Sequence, residues 1–172
     1  MSLRRTLHAA ESLDAVDAPA GVVARAVRRI VGRGRADRLL RGAWLGHPVH
    51  PLLVTVPIGA WVCSAVLDVS GHHAAARRLV VIGLAATPPT VLVGLADFSR
   101  LDVRQRRVGL LHAAGNTLAA GCFLASTRCR GHRSARAWVL VGLVVLSAGG
   151  ALGGHLSYAQ AAGVHRWPVD TG

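Results

Sequence analysis

The sequence contains no lysine. All twenty of its basic residues are arginine, set against eight acidic ones. That bias reads as GC-rich codon usage of a bacterial kind and carries no mechanism of its own. Aromatic residues make up 4% of the chain and charged residues 16%, while 52% are hydrophobic. A soluble domain carries more surface charge than this. Three cysteines, Cys63, Cys122 and Cys129, form no CxxC and cannot all pair, which argues against a disulfide framework. Cys63 and Cys122 fall in apolar runs as small packing residues. Cys129, between Arg128 and Arg130, is read as an inert thiol despite those neighbours. There is no nucleophile elbow, phosphate loop or HExxH, so hydrolytic chemistry is not expected. The first seventeen residues lack a compact apolar core, so no cleavable signal peptide is expected.

The net charge of +12 and the pI of 11.7 would suit a nucleic-acid binder. The placement of the charge argues otherwise. Arginines occupy an N-terminal segment and the short connectors between apolar runs, as in a membrane protein gripping anionic headgroups. The expected partner is therefore a lipid bilayer with anionic lipids, and no nucleic acid.

Four apolar runs stand out: 51–69, 79–98, 108–127 and 137–158. Each approaches the roughly 20 residues that cross a bilayer as a helix, and short connectors make sequential helices antiparallel neighbours. Ahead of them, Val22, Val23, Ala26, Val27, Ile30 and Val31 repeat at helical spacing opposite Arg25, Arg28, Arg29 and Arg33. This predicts a basic amphipathic helix in the membrane interface, interrupted near Gly32 and Gly34. The fold expected is all-α: a four-transmembrane-helix bundle preceded by an amphipathic interfacial helix. Its parts are a flexible N-terminus (1–18), the interfacial helix (19–43), the four-span membrane domain (44–164) and a C-terminal tail (165–172). Fourteen arginines on one side against six on the other place both termini in the cytoplasm.

Small residues and prolines shape the spans. Gly149/Gly153 and Gly150/Gly154 are overlapping small-xxx-small pairs that let another backbone approach, in this bundle, in a second copy or in a flat cofactor. Pro57 and the Pro88–Pro89 pair are expected to kink spans one and two.

Alternating topology brings the polar residues of the spans to one level. His47 and His50 open the first span, Asp97 ends the second, His112 begins the third and His155 ends the fourth. Polar groups at bilayer depth are costly and are kept for a reason. Four imidazoles and a carboxylate make a candidate shell for haem iron or another metal. His47 and His50 share a helical face if the first helix starts early enough. Asp97, which can equally pair with Arg107, and Asn116 would hydrogen-bond the ligating histidines. Taken singly, each histidine reads as a hydrated headgroup-layer residue. Asp68 is read as a structural ion pair near Arg77 and Arg78. His8, His72, His73, His132 and His165, in polar segments, are left outside the site.

The stretches "WLGHPVHPLLVTVPIGAW" (44–61), "GLADFSRLDVRQRRVGLLHAAGN" (94–116) and "LGGHLSYAQAAGV" (152–164) resemble a family of uncharacterised bacterial four-span membrane proteins. Its mark is a Gly-His-Pro-x-His-Pro motif opening the first span. The resemblance covers residues 20–164. It implies the fold and a multi-pass bacterial cytoplasmic (inner) membrane location, and it points to His47, His50, His112 and His155. Some relatives carry a Rieske-type iron–sulfur domain on the same chain, which implies redox work and a Rieske-type or other redox partner. The stretch "AQAAGV" (159–164) departs from the family's more basic pattern there.

Three functions remain in contention. One is an electron-transfer protein binding haem b through His47 or His50, His112 and His155. Another is a non-haem Zn, Fe or Cu site, or a transporter for such an ion. The third is a non-catalytic scaffold or partner subunit, with assembly as a homo-oligomer left open. An electron-transfer or binding subunit is favoured over a stand-alone enzyme.

Overall fold

The computed structural model describes residues 3–163. The tail expected at 165–172, with His165, lies outside the described residues. Every regular element in the described range is helical: α1 (Leu3–Glu11), a 3₁₀ turn (Asp14–Val16), α2 (Asp17–Val31), α3 (Arg35–Arg41), α4 (Val49–Leu53), α5 (Thr55–Val69), α6 (His73–Phe98), α7 (Val103–Arg128), α8 (His132–Gly154) and a π-turn (His155–Ala159). Four stretches are long and apolar enough to cross a membrane: Val49–Val69, His73–Phe98, Val103–Arg128 and His132–Ala159. They match the four expected spans but begin up to six residues earlier, because the arginine-bearing ends stay helical. A helix end in the headgroup region keeps its backbone paired while its arginines reach outward.

The N-terminal segment differs more. Residues 1–18, expected to be flexible, carry α1, whose Glu11 is only 6% exposed. The interfacial segment is two helices. Gly32 (φ 71°) closes α2 and Gly42 (φ 85°) closes α3, both in a conformation that favours glycine. Pro48 then delays the next helix to Val49, since the residue before a proline is pushed out of helical geometry. Consequently His47 lies before α4 and does not share a helical face with His50. Pro57, which has no N–H to offer the Leu53 carbonyl, coincides with the break at Val54 between α4 and α5. The Pro88–Pro89 pair leaves α6 continuous. There Thr87 and Thr90 donate their hydroxyls to the carbonyls of Gly83 and Ala86. A reciprocal capping box starts α7: Gln105 N–H donates to Asp102 Oδ1 at 2.8 Å, and Asp102 N–H to Gln105 Oε1 at 3.2 Å.

Contacts divide the chain into two compact units. Unit 2 comprises Pro51–Val91 and Ala113–Gly150. Its core is Trp61 stacked on Phe123, ring centres 4.1 Å apart and 16° from parallel, with Val80, Ala119, Val139 and Leu146 around them. Both rings sit against glycines. A methyl group at Gly83 would fall 2.3 Å from Trp61 Nε1, and one at Gly142 would fall 3.0 Å from Phe123. The Trp61 N–H donates to the Val80 carbonyl at 3.3 Å. Gly149 lies against Gly115 and Asn116, whereas Gly150 meets nothing within 4 Å. Asp68 pairs with Arg136 and His73 rather than with Arg77. Arg77 donates instead to the carbonyls of Thr127 and Cys129 at the end of α7, where a cation is favoured.

Unit 1 comprises Met1–His50, Leu92–His112 and Ala151–Gly172. Its small core joins Ala20 and Ala24 of α2 to Phe98 and Leu101. Arginines lock the helices around it. Arg28 donates to the Ser99 carbonyl at 2.6 Å, Arg100 to Asp37 at 2.7 Å, and Arg107 forks onto both oxygens of Asp17 at 2.8 and 2.7 Å. These hydrogen bonds hold the Asp17 carboxyl below its ordinary range. Arg107 is thus spent on Asp17, and Asp97 faces Arg41 at 3.7 Å instead of the Arg107 expected.

Phe123 is fully buried. Phe123→Ala should lower stability in detergent by about 3–5 kcal/mol, the cost of a large core cavity. The midpoint of thermal unfolding by circular dichroism, compared with wild type, checks this.

Candidate metal centres

All five polar span residues expected at one level, His47, His50, Asp97, His112 and His155, belong to unit 1; Asn116 belongs to unit 2. Within unit 1 the histidines separate into two groups.

The first group is His50 and His112. Their ring centres lie 6.4 Å apart with the planes nearly perpendicular, at 86°. Each ring rests on a glycine of another helix. A methyl group at Gly94 of α6 would sit 2.8 Å from His50 Cε1, and one at Gly153 of α8 would sit 2.7 Å from His112 Cε1. Segments of α4, α6, α7 and α8 therefore converge on the pair. Of the two small-residue pairs, Gly149/Gly153 packs and Gly150/Gly154 meets nothing within 4 Å. His47 stays apart, exposed, with its Nδ1 2.9 Å from the Pro48 carbonyl.

The second group forms where α1 meets the π-turn. Glu11, the only glutamate in the chain, holds His155 Nε2 on its Oε1 at 2.5 Å. Arg104 approaches the other oxygen, with Nε donating to Oε2 at 2.7 Å and Nη2 donating as well. His8 Nδ1 stands 3.6 Å from Oε1, and its ring meets that of His155 edge-on with centres 5.4 Å apart. The side chains of Glu11 and His155 are each 6% exposed and that of His8 is 51% exposed. The three donor atoms all lie within 4.8 Å of one another, and among the described residues no other trio of histidine, cysteine or carboxylate is grouped this way. His8, left outside the candidate site on the sequence, thus lies beside Glu11 and His155.

Burial alone would raise the Glu11 carboxyl. The hydrogen bonds from His155 and Arg104, the Arg104 charge and the nearby Gln160 amide outweigh it and lower the group from 4.5 to about 2. The sequence carried a faint signal: "HAAE" places His8 and Glu11 at i and i+3, neighbours on a helix. Their partner His155 is 144 positions away. Its place in a π-turn, a distortion that recurs at functional sites, has no mark in the sequence.

In unit 2, His73 and His132 stack with ring centres 5.0 Å apart beside Asp68, and a cavity of about 150 Å³ adjoins them. His73 Nδ1–H donates to Asp68 Oδ1 at 2.7 Å. The three cysteines are free thiols.

Four membrane-length apolar helices mark a multi-pass membrane protein. Residues 46–166 match the family model described as Predicted membrane protein (DUF2231), and the chain belongs to that family. No curated protein and no solved structure matches it.

A carboxyl held at about 2 in the fold and near 4.5 when unfolded stabilises the fold above pH 4.5, and that contribution drains away as pH falls toward 2. The melting-temperature difference between wild type and Glu11→Gln should be constant from pH 5 to 7 and shrink toward zero on acidification. A difference that stays unchanged as the pH falls from 5 toward 2 would contradict the Glu11 assignment.

Proposed function

We propose that this membrane protein is a redox carrier in which His50 and His112 would hold a b-type haem. The carrying observation is the spacing of the two rings. One iron between two imidazoles needs two metal–nitrogen bonds of about 2.1 Å each and half a ring on either side, which matches 6.4 Å. Two protein donors are too few for a structural zinc ion, which takes four, but they are what a porphyrin-held iron requires. Such a group supplies a one-electron ferric–ferrous couple. The chain's own part is to fix both rings through Gly94 and Gly153.

The setting supports the reading. In α2, Val22 and Ile30 are exposed at 56% and 85%, beside exposed Arg25 and Arg29, while Ala20 and Ala24 face inward. That outer face suits the interface of an anionic bilayer. The arginine distribution favours a bacterial cytoplasmic membrane with both termini inside. In this role the chain passes electrons to or from a Rieske-type or other redox partner.

The test is expression with haem supplied, purification in mild detergent, and absorption spectra of the oxidised and dithionite-reduced protein. A Soret band with sharp reduced-state bands should appear, vanish in His50→Ala and His112→Ala, and persist in His47→Ala. Gly153→Val, which crowds His112 without removing a donor, should weaken or shift the same bands. A folded, colourless wild-type protein overturns the haem reading.

A further inference from the structure

The second histidine group is independent of the His50–His112 pair. Its donors come from two distant parts of the chain. His8 and Glu11 stand one turn apart on α1, and His155 opens the π-turn that follows α8. Two features make this more than an ion pair. First, the carboxylate is divided in its duties. Arg104 takes Oε2, which leaves Oε1 to face both imidazoles. A hydrogen-bonded, singly engaged carboxylate is how a ligating glutamate is normally oriented. The Glu11 backbone is fixed as well, since Arg107 donates to its carbonyl at 3.0 Å. Second, the buried side-chain amide of Gln160 lies beside the same carboxylate and offers a donor and an acceptor to a water bound there.

We propose that His8 Nδ1, Glu11 Oε1 and His155 Nε2 bind a first-row divalent transition-metal ion of the zinc or ferrous class, with water at a remaining position. Two histidines and one carboxylate are a three-ligand set that suits these ions and leaves a site open. The donors already lie within 4.8 Å of one another. Binding at about 2.0–2.2 Å from each atom draws His8 inward and parts His155 from Glu11, so the ion replaces their hydrogen bond. The proton that His155 Nε2 donates to Glu11 moves to Nδ1 or leaves to solvent as Nε2 takes the ion. The exposed edge of His8 provides the entry path. The ion would tie α1 to the end of the fourth span, which makes it a clasp on the N-terminal segment.

The experiment uses the full chain in detergent, treated with chelator and then titrated with Zn²⁺ by calorimetry and with Co²⁺ by visible absorption. Wild type should take up one equivalent at this site, develop cobalt d–d bands and melt at a higher temperature with zinc. His8→Ala removes a half-exposed ligand and should leave the fold intact while weakening zinc binding at least about tenfold. Glu11→Gln should abolish the cobalt bands. His112→Ala should change neither, which separates this site from the haem reading. His73→Ala controls for the other histidine pair. Absence of zinc uptake by wild type, or an affinity unchanged in His8→Ala, overturns the proposal, as does uptake that disappears only in His73→Ala.

Discussion

Close approach of rings to glycine is the constraint on which this molecule depends. Hydrocarbon offers helices no hydrophobic reason to associate, so contact and shape must hold them together. Here the solution recurs. Trp61 lies on Gly83, Phe123 on Gly142, His50 on Gly94, His112 on Gly153 and Phe98 on Gly109. In each case a side chain at the glycine position would enter the space the ring now fills. The same device that packs the aromatic core of unit 2 seats both imidazoles of unit 1. Structure and candidate chemistry are therefore built from one kind of contact.

Arginine supplies the second kind of order. Arg28, Arg100, Arg104 and Arg107 each cross from one element of unit 1 to another and end on a carbonyl or a carboxylate. Guanidinium suits this work because its planar fork matches a carboxylate and it is never neutral. Net positive charge in a membrane protein invites the assumption that all of it faces lipid headgroups. In this chain a good part is internal bracing, and the outward share is carried by residues such as Arg25 and Arg29.

The sequence made the spans legible because twenty-residue apolar runs have few other uses, and the Gly-His-Pro-x-His-Pro stretch marked the histidines worth following. Family membership agrees with the membrane-spanning character of those runs. Partner choice was not legible. Arg107 is a mate for Asp97 by proximity along the chain, but Asp17 takes two of its three guanidinium nitrogens and the Glu11 carbonyl the third, and Asp97 lies near Arg41. His47 was separated from His50 by a single proline that moved the helix start. The grouping of His8 with Glu11 depends on a helix where a flexible tail was expected, and on a π-turn that orients His155. Periodicity reports faces of single helices. It does not report rotations of one helix against another, and those rotations decided both histidine groups.

Glu11 is the only glutamate in the protein, and it is buried where α1 is clasped to the remainder of unit 1. A protease strict for glutamate thus has one peptide bond to cut in the whole chain. It can reach that bond only when the clasp opens. The cleavage rate becomes a clock for local opening of the N-terminal segment, set by the free energy of that motion and not by global unfolding.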